Sequence, residues 1–262
     1  MAAVVRAGQT SLGFWLLSST FVFQSAAVPG LTFFKSPNIA KPERCKQFFM
    51  TLYDYKDLIR NLPTKEQSFT TKRTTWDKPE FTINKDFNQF VKESFKTETL
   101  QISRQDCFDA NQNFSELLFK TILWGYQSGM RGKTFQTILN NYKVIKKSFD
   151  DCIQEDIILT RSNFEKLEKL LRSTGIGLST LTKLLYFKKI DIDNYNALIF
   201  DSRIIEVLNT GKFVEFSHLI NAKKDTLSCY NFLVSVRDLQ NFDCDSEQVE
   251  HFLFTFGLNL KQ

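Results

Sequence analysis

Residues 163–208, NFEKLEKLLRSTGIGLSTLTKLLYFKKIDIDNYNALIFDSRIIEVL, carry the residue types and spacing with the clearest chemical potential. A helix is predicted to end at Arg172 or Ser173, and Thr174-Gly175-Ile176-Gly177 follows. A second helix is predicted to start at Leu178 or Ser179. Two glycines one residue apart permit positive φ and a close approach of ligand to backbone. The first N–H groups of the second helix lack intrahelical partners and sit at the positive end of its dipole. Phosphate is the natural ligand of such a turn. Ile176, between the glycines, is predicted to plug the turn into the core. A turn of this kind holds a DNA backbone without reading bases. The same Gly-x-Gly also serves as a tight turn between helices, and the turn alone leaves both readings open. Downstream, Asp201 is predicted to open a short helix over Asp201–Leu208. A carboxylate there is favoured both as an N-cap and by the dipole.

The elements that must position these groups are mostly helical. The chain has 262 residues, of which 42% are hydrophobic and 24% charged, an ordinary globular composition that excludes a disordered chain. Its 27 Phe point to aromatic cores. From about residue 86 the apolar residues recur with a helical period: Phe87, Phe90, Val91 and Phe95, then Leu117, Leu118, Ile122 and Leu123. Phe135, Ile138, Leu139, Tyr142 and Ile145 give one further amphipathic face. Ser162 is predicted to cap Phe164–Leu171, and Leu178–Phe187 follows the glycine turn. Ser228–Leu239 and Ser246–Phe256 close the chain, the last stopped by Gly257. Residues 30–85 read as less regular. Phe48, Phe49, Leu52 and Tyr53 suggest one short helix, and Thr70–Ile83 suggests a loop or edge strand because Pro79 forbids a central one. The fold class is therefore mainly α.

Three segments resemble the helix–hairpin–helix DNA glycosylase superfamily, and within it the bacterial 8-oxoguanine DNA glycosylase-like family. They are WGYQSGMRG at 124–132, TKLLYF with ALIFDSRI at 182–204, and VEHFLFTFG at 249–257. The resemblance spans about 105–257, discontinuously. It implies a glycosylase-like helical bundle over 86–262, with the helix–hairpin–helix at 163–188. It implies cleavage of the N-glycosidic bond of a damaged or modified base flipped out of double-stranded DNA. Asp201 would stabilise the cationic sugar or activate water. Gly175, Ile176, Gly177, Ser179 and Thr182 would meet the DNA backbone, joined by Arg131 and Lys133. Trp124, Tyr126 and Gln127 would wall the base pocket or wedge near it, with Gln127 on a base edge; the structural alternative is a loop anchored by Trp124 and Tyr126. Bifunctional relatives carry a nucleophilic lysine where this chain has Ser179. Serine cannot form a Schiff base, so a monofunctional enzyme is expected. Lys183, four residues later on the same helical face, is read as a displaced nucleophile, a phosphate contact or an exposed lysine beside Lys188 and Lys189. The iron–sulfur variants need four C-terminal cysteines; only Cys229 and Cys244 lie there, so no cluster, metal or other cofactor is expected.

Charge and cysteines leave rivals in view. Residues 1–42 carry three basic residues and no acidic ones; beyond them 31 basic residues face 29 acidic ones. Any polyanion site is thus a local patch. The five cysteines show no C-x-x-C, which fits free intracellular thiols. His218 and His251 sit in apolar helical contexts and read as structural. Asp191 and Asp193 lack the glycine and glutamate of an EF-hand. Residues 11–29, SLGFWLLSSTFVFQSAAVP, read as a targeting segment or a buried N-terminal element. An intracellular monomer is expected, in an organelle if residues 1–29 are a transit peptide. A non-catalytic DNA-binding protein and a secreted helical interaction protein are the alternatives.

Overall fold

The computed structural model of the chain describes residues 50–153, 158–239 and 242–260. The candidate targeting segment and Cys45 lie outside these residues. Gln47–Gln262 forms one compact unit.

A short 3-10 turn, Leu52–Tyr55, is closed by a Thr51/Asp54 capping box and leads into α1 (Lys56–Arg60). β1 (Ser68–Lys72) pairs antiparallel with β2 (Thr99–Ser103), Ser68 opposite Ser103 and Lys72 opposite Thr99. Between them run α2 (Arg73–Trp76), α3 (Pro79–Thr82) and α4 (Lys85–Ser94). The loop or edge strand expected over Thr70–Ile83 is therefore strand only up to Lys72. Pro79 instead starts α3, where its missing N–H is not needed.

α5 (Arg104–Asp109) begins at a Ser103/Asp106 capping box, and α6 (Phe114–Gly125) at Asn113. The apolar period over 135–145 is divided between α7 (Thr134–Asn140) and α8 (Tyr142–Cys152). After β3 (Ile158–Leu159) comes α9 (Arg161–Arg172). Its cap is Thr160, whose hydroxyl accepts the Asn163 N–H at 3.2 Å; Ser162 lies inside the helix. α10 (Leu178–Lys188) follows the glycine turn. β4 (Asp191–Ile192) and β5 (Tyr195–Asn196) form a hairpin that the sequence did not reveal, with Asp193 and Asn194 at positive φ as its two turn residues. Asp193 Oδ1 accepts the Arg161 N–H at 2.9 Å, which ties this turn to the start of α9. α11 (Ser202–Asn209), α12 (Thr226–Arg237) and α13 (Ser246–Phe256) complete the bundle, α12 being capped by Asp225 and starting two residues ahead of the predicted Ser228.

The phenylalanines fill the core in edge-to-face clusters. Phe135 takes Trp76, Phe81 and Phe87 at 5.0, 4.9 and 4.8 Å between ring centroids. At the centre lies α10, buried from Leu178 to Phe187. It packs on α5, α6 and α9. A helix enclosed on all sides drags its polar residues inside, and Ser179, Thr180, Thr182 and Lys183 must all find partners there. Among the described residues no helix is long and apolar enough to cross a membrane.

Gly257 follows α13, as expected of a stop signal, but its φ of −52° is right-handed. What requires glycine is space: a Cβ there would lie 2.6 Å from the Leu253 carbonyl oxygen and 2.8 Å from both methyl carbons of Val207 on α11. Gly257→Ala is expected to cost about 1–3 kcal/mol of stability in denaturant unfolding. Val207→Ala in the same chain should recover part of that loss.

Candidate active site

Lys183 and Asp201, 18 residues apart, meet where α10 passes the start of α11. Lys183 Nζ lies 3.3 Å from Asp201 Oδ2, and donates to Ser179 Oγ at 2.9 Å. The two side chains are 5% and 14% exposed. Asp201 divides its oxygens between two tasks. Oδ1 accepts the N–H groups of Arg203 at 3.0 Å and Ile204 at 3.2 Å, a complete N-cap, while Oδ2 faces the ammonium. Capping and ion pairing are thus performed together by one carboxylate.

Several elements fix this pair. Thr182 Oγ1 accepts the Phe200 N–H at 3.2 Å and so holds the residue before Asp201 against α10. Gly125, at the end of α6, leaves room for the lysine stem: a Cβ there would stand 3.2 Å from Lys183 Cδ and Cε. Tyr126 comes next, its ring centroid 5.9 Å from Nζ and its hydroxyl 2.7 Å from Thr180 Oγ1. The π face of Tyr126 on one side and a carboxylate on the other leave Nζ a narrow opening, the lysine side chain being 5% exposed.

The remaining predicted residues divide into those at this opening and those away from it. Gly175 has φ +92°, so its glycine is required, and Ile176 is fully buried as the plug of the turn. Gly177 is the N-cap of α10, and a Cβ there would meet nothing within 4 Å, so this side of the turn is open. Ser179 is turned to Lys183. Thr182 is buried, its hydroxyl engaged with backbone, so it holds the scaffold and does not reach a DNA backbone. Trp124 is also interior: Nε1 donates to the Gln67 carbonyl at 3.3 Å and the ring packs on Phe69 and Phe187. Of the three pocket candidates, half-buried Tyr126 and exposed Gln127 lie at the surface. The Gln127 carbonyl accepts from Thr71 Oγ1 at 2.6 Å, which fixes the loop that presents exposed Arg131 and Lys133.

Sequence reasoning missed the groups beneath the pair. Arg104 and Glu250, both fully buried, form an ion pair at 2.8 Å. Arg104 also donates to Tyr186 Oη at 3.1 Å and Gln67 Oε1 at 2.5 Å, and its guanidinium lies 5.4 Å from the Trp124 ring centroid. Burial alone would lower the Arg104 pKa, but Glu250 and Tyr186 outweigh it and the group stays charged. Burial pushes the Glu250 carboxyl upward against the pull of Arg104; Asp201 and Lys183 are close enough to add smaller opposing effects. Arg104 and Glu250 lie 146 residues apart, so no local pattern links them.

His251, next to Glu250, is buried against Thr64 and its pKa is lowered to about 4 by burial and by Arg104. The unfolded imidazole takes its proton near 6.5, and the folded one does so only near 4. Stability should therefore fall as pH drops between those values, and His251→Gln should flatten that segment of the curve. Glu250→Gln, which strands the Arg104 charge, is expected to cost about 3–5 kcal/mol in denaturant unfolding.

A family model described as "Putative 8-oxoguanine DNA glycosylase OGG-like protein" matches residues 63–254. No curated protein and no solved structure matches the chain.

Proposed function

The chain belongs to the OGG-like 8-oxoguanine DNA glycosylase family, and we propose that it is a DNA glycosylase whose chemistry runs on Lys183 and Asp201. One observation carries this reading: a nearly buried lysine ammonium 3.3 Å from a capped carboxylate, beside an open glycine turn. The serine at 179 argues for a monofunctional enzyme. The position of Lys183 favours a lysine nucleophile instead, with Ser179 as its hydrogen-bond acceptor.

The proposed step balances as follows. Lys183 Nζ passes a proton to Asp201 Oδ2, and its freed lone pair bonds to C1′ of the flipped nucleotide. The C1′–N bond breaks, its electron pair leaves on the base, and the base takes up the proton. Nζ then loses a second proton to solvent, its lone pair forms the C1′=N bond as the C1′–O4′ bond breaks, and O4′ keeps that bond's electron pair and takes up a proton from solvent, which leaves a protonated imine between enzyme and DNA. Once that proton has passed to the base, the Asp201 carboxylate also favours positive charge developing on the sugar. The glycine turn, Arg131 and Lys133 would hold phosphates, and Tyr126 and Gln127 would border the extruded base. The family name makes 8-oxoguanine the first base to test.

Base release from duplexes carrying single modified bases tests this reading. Asp201→Asn keeps the cap, because Asn caps as well as Asp, and removes only the charge. It is expected to slow release by about 100-fold or more with DNA affinity unchanged. Borohydride should trap parent enzyme on substrate DNA and should not trap Lys183→Gln. Release that survives Lys183→Gln but not Asp201→Asn would return the mechanism to activated water. Binding without release from any duplex would leave a non-catalytic DNA-binding protein.

A further inference from the structure

A second recess, with a volume of about 540 Å³, lies at the far end of α10 from the glycine turn, and neither Lys183 nor Asp201 lines it. Part of its lining is aromatic and apolar: Phe108, Tyr186 and Leu198 are each almost fully buried. The rest carries charge of both signs, Lys65 and Lys189 with the carboxylates of Asp191, Asp245 and Glu247. On the α5 side stand Lys65, whose carbonyl accepts the Gln105 N–H at 3.0 Å, and Lys189, whose ammonium lies 5.5 Å from the Phe108 ring centroid. On the opposite wall, the first turn of α13 brings the Glu247 carboxylate, which accepts from Tyr186 Oη through one oxygen, Oε2, at 2.8 Å.

Lys189 is the telling residue. It ends α10 with φ 58° and ψ 44°, the left-handed conformation that glycine normally supplies at a helix C-terminus. A lysine tolerates it only at a cost in backbone strain. The strained turn is what lays its ammonium over Phe108 at the rim of the recess.

We propose that this recess binds a nucleoside monophosphate. A flat base suits the Phe108 and Tyr186 floor, an amino group on its edge suits the second oxygen of Glu247, and the phosphate suits Lys65 and Lys189. The volume lies within the range of about 300–1,000 Å³ typical of small-molecule sites. Inorganic phosphate would leave the aromatic floor and the carboxylate wall unused. An apolar ligand would strip water from five charged groups without replacing it. The proposal stands on this recess alone and does not depend on the glycosylase reading.

Calorimetric titration of the full chain with dGMP, dAMP, dCMP and TMP, and with inorganic phosphate, tests it. At least one nucleotide should saturate a single site, and phosphate alone should not. Lys189→Gly, which relaxes the backbone while removing the cation, should weaken that binding at least tenfold, and Glu247→Gln should change the preference among bases. Lys183→Gln and Asp201→Asn should bind as the parent does. The proposal is overturned if no nucleotide saturates, if phosphate alone binds as well, or if binding survives Lys189→Gly and is lost with Lys183→Gln.

Discussion

A lysine placed in the interior of a protein is the constraint on which this structure turns. An ammonium stripped of water is unfavourable unless a carboxylate and further acceptors replace the lost hydration. Here α10 is buried from Leu178 to Phe187, so the stem of Lys183 and most of its head are held inside. Its compensation must be built from other elements: the Ser179 hydroxyl one turn back, and Asp201 from the start of the next helix. That requirement explains why Asp201 is both cap and counter-ion. It also explains why Gly125 ends α6, since any side chain there would press on the lysine stem.

The pair is itself carried by a buried ionic framework. Arg104 joins α5 to α13 through Glu250, to α10 through Tyr186, and to the segment before β1 through Gln67. Tyr186 passes the same chain of hydrogen bonds on to Glu247 at the second recess. One turn of α10 therefore separates two polar environments: Lys183 with its carboxylate, and Tyr186 with its arginine. Fully satisfied buried networks of this sort rigidify what they connect. The phenylalanine clusters around Phe135 and Phe187 surround these polar groups with packing that leaves them one arrangement.

Much of the helical scaffold could be read from local sequence. The apolar period located α4 and α6, and the cap and glycine-turn signals located α9, α10 and the junction between them. Errors fell where side-chain identity was ambiguous over short range. Thr160 and Ser162 are both good caps, and only the backbone entry angle chose between them. A single apolar face over 135–145 concealed a break at Asn141. The two small sheets were illegible because their strands are two to five residues long and pair across up to 34 intervening positions.

Lys183 and Asp201 show the same division within the site. Residue types and spacing alone determined a mainly helical chain, a tight turn at Gly175 and Gly177, and a carboxylate heading a helix at Asp201. The family resemblance drew attention to Ser179 and to Lys183 one turn beyond it. Those are properties of neighbours along one helix, and periodicity encodes them. Only the tertiary structure decided that Lys183 faces inward onto Asp201, that Thr182 and Trp124 belong to the scaffold, and that Arg104 meets Glu250. These depend on which helices enclose α10, and so on contacts between residues far apart in the chain, where hydrophobic burial and the pairing of charges are settled together.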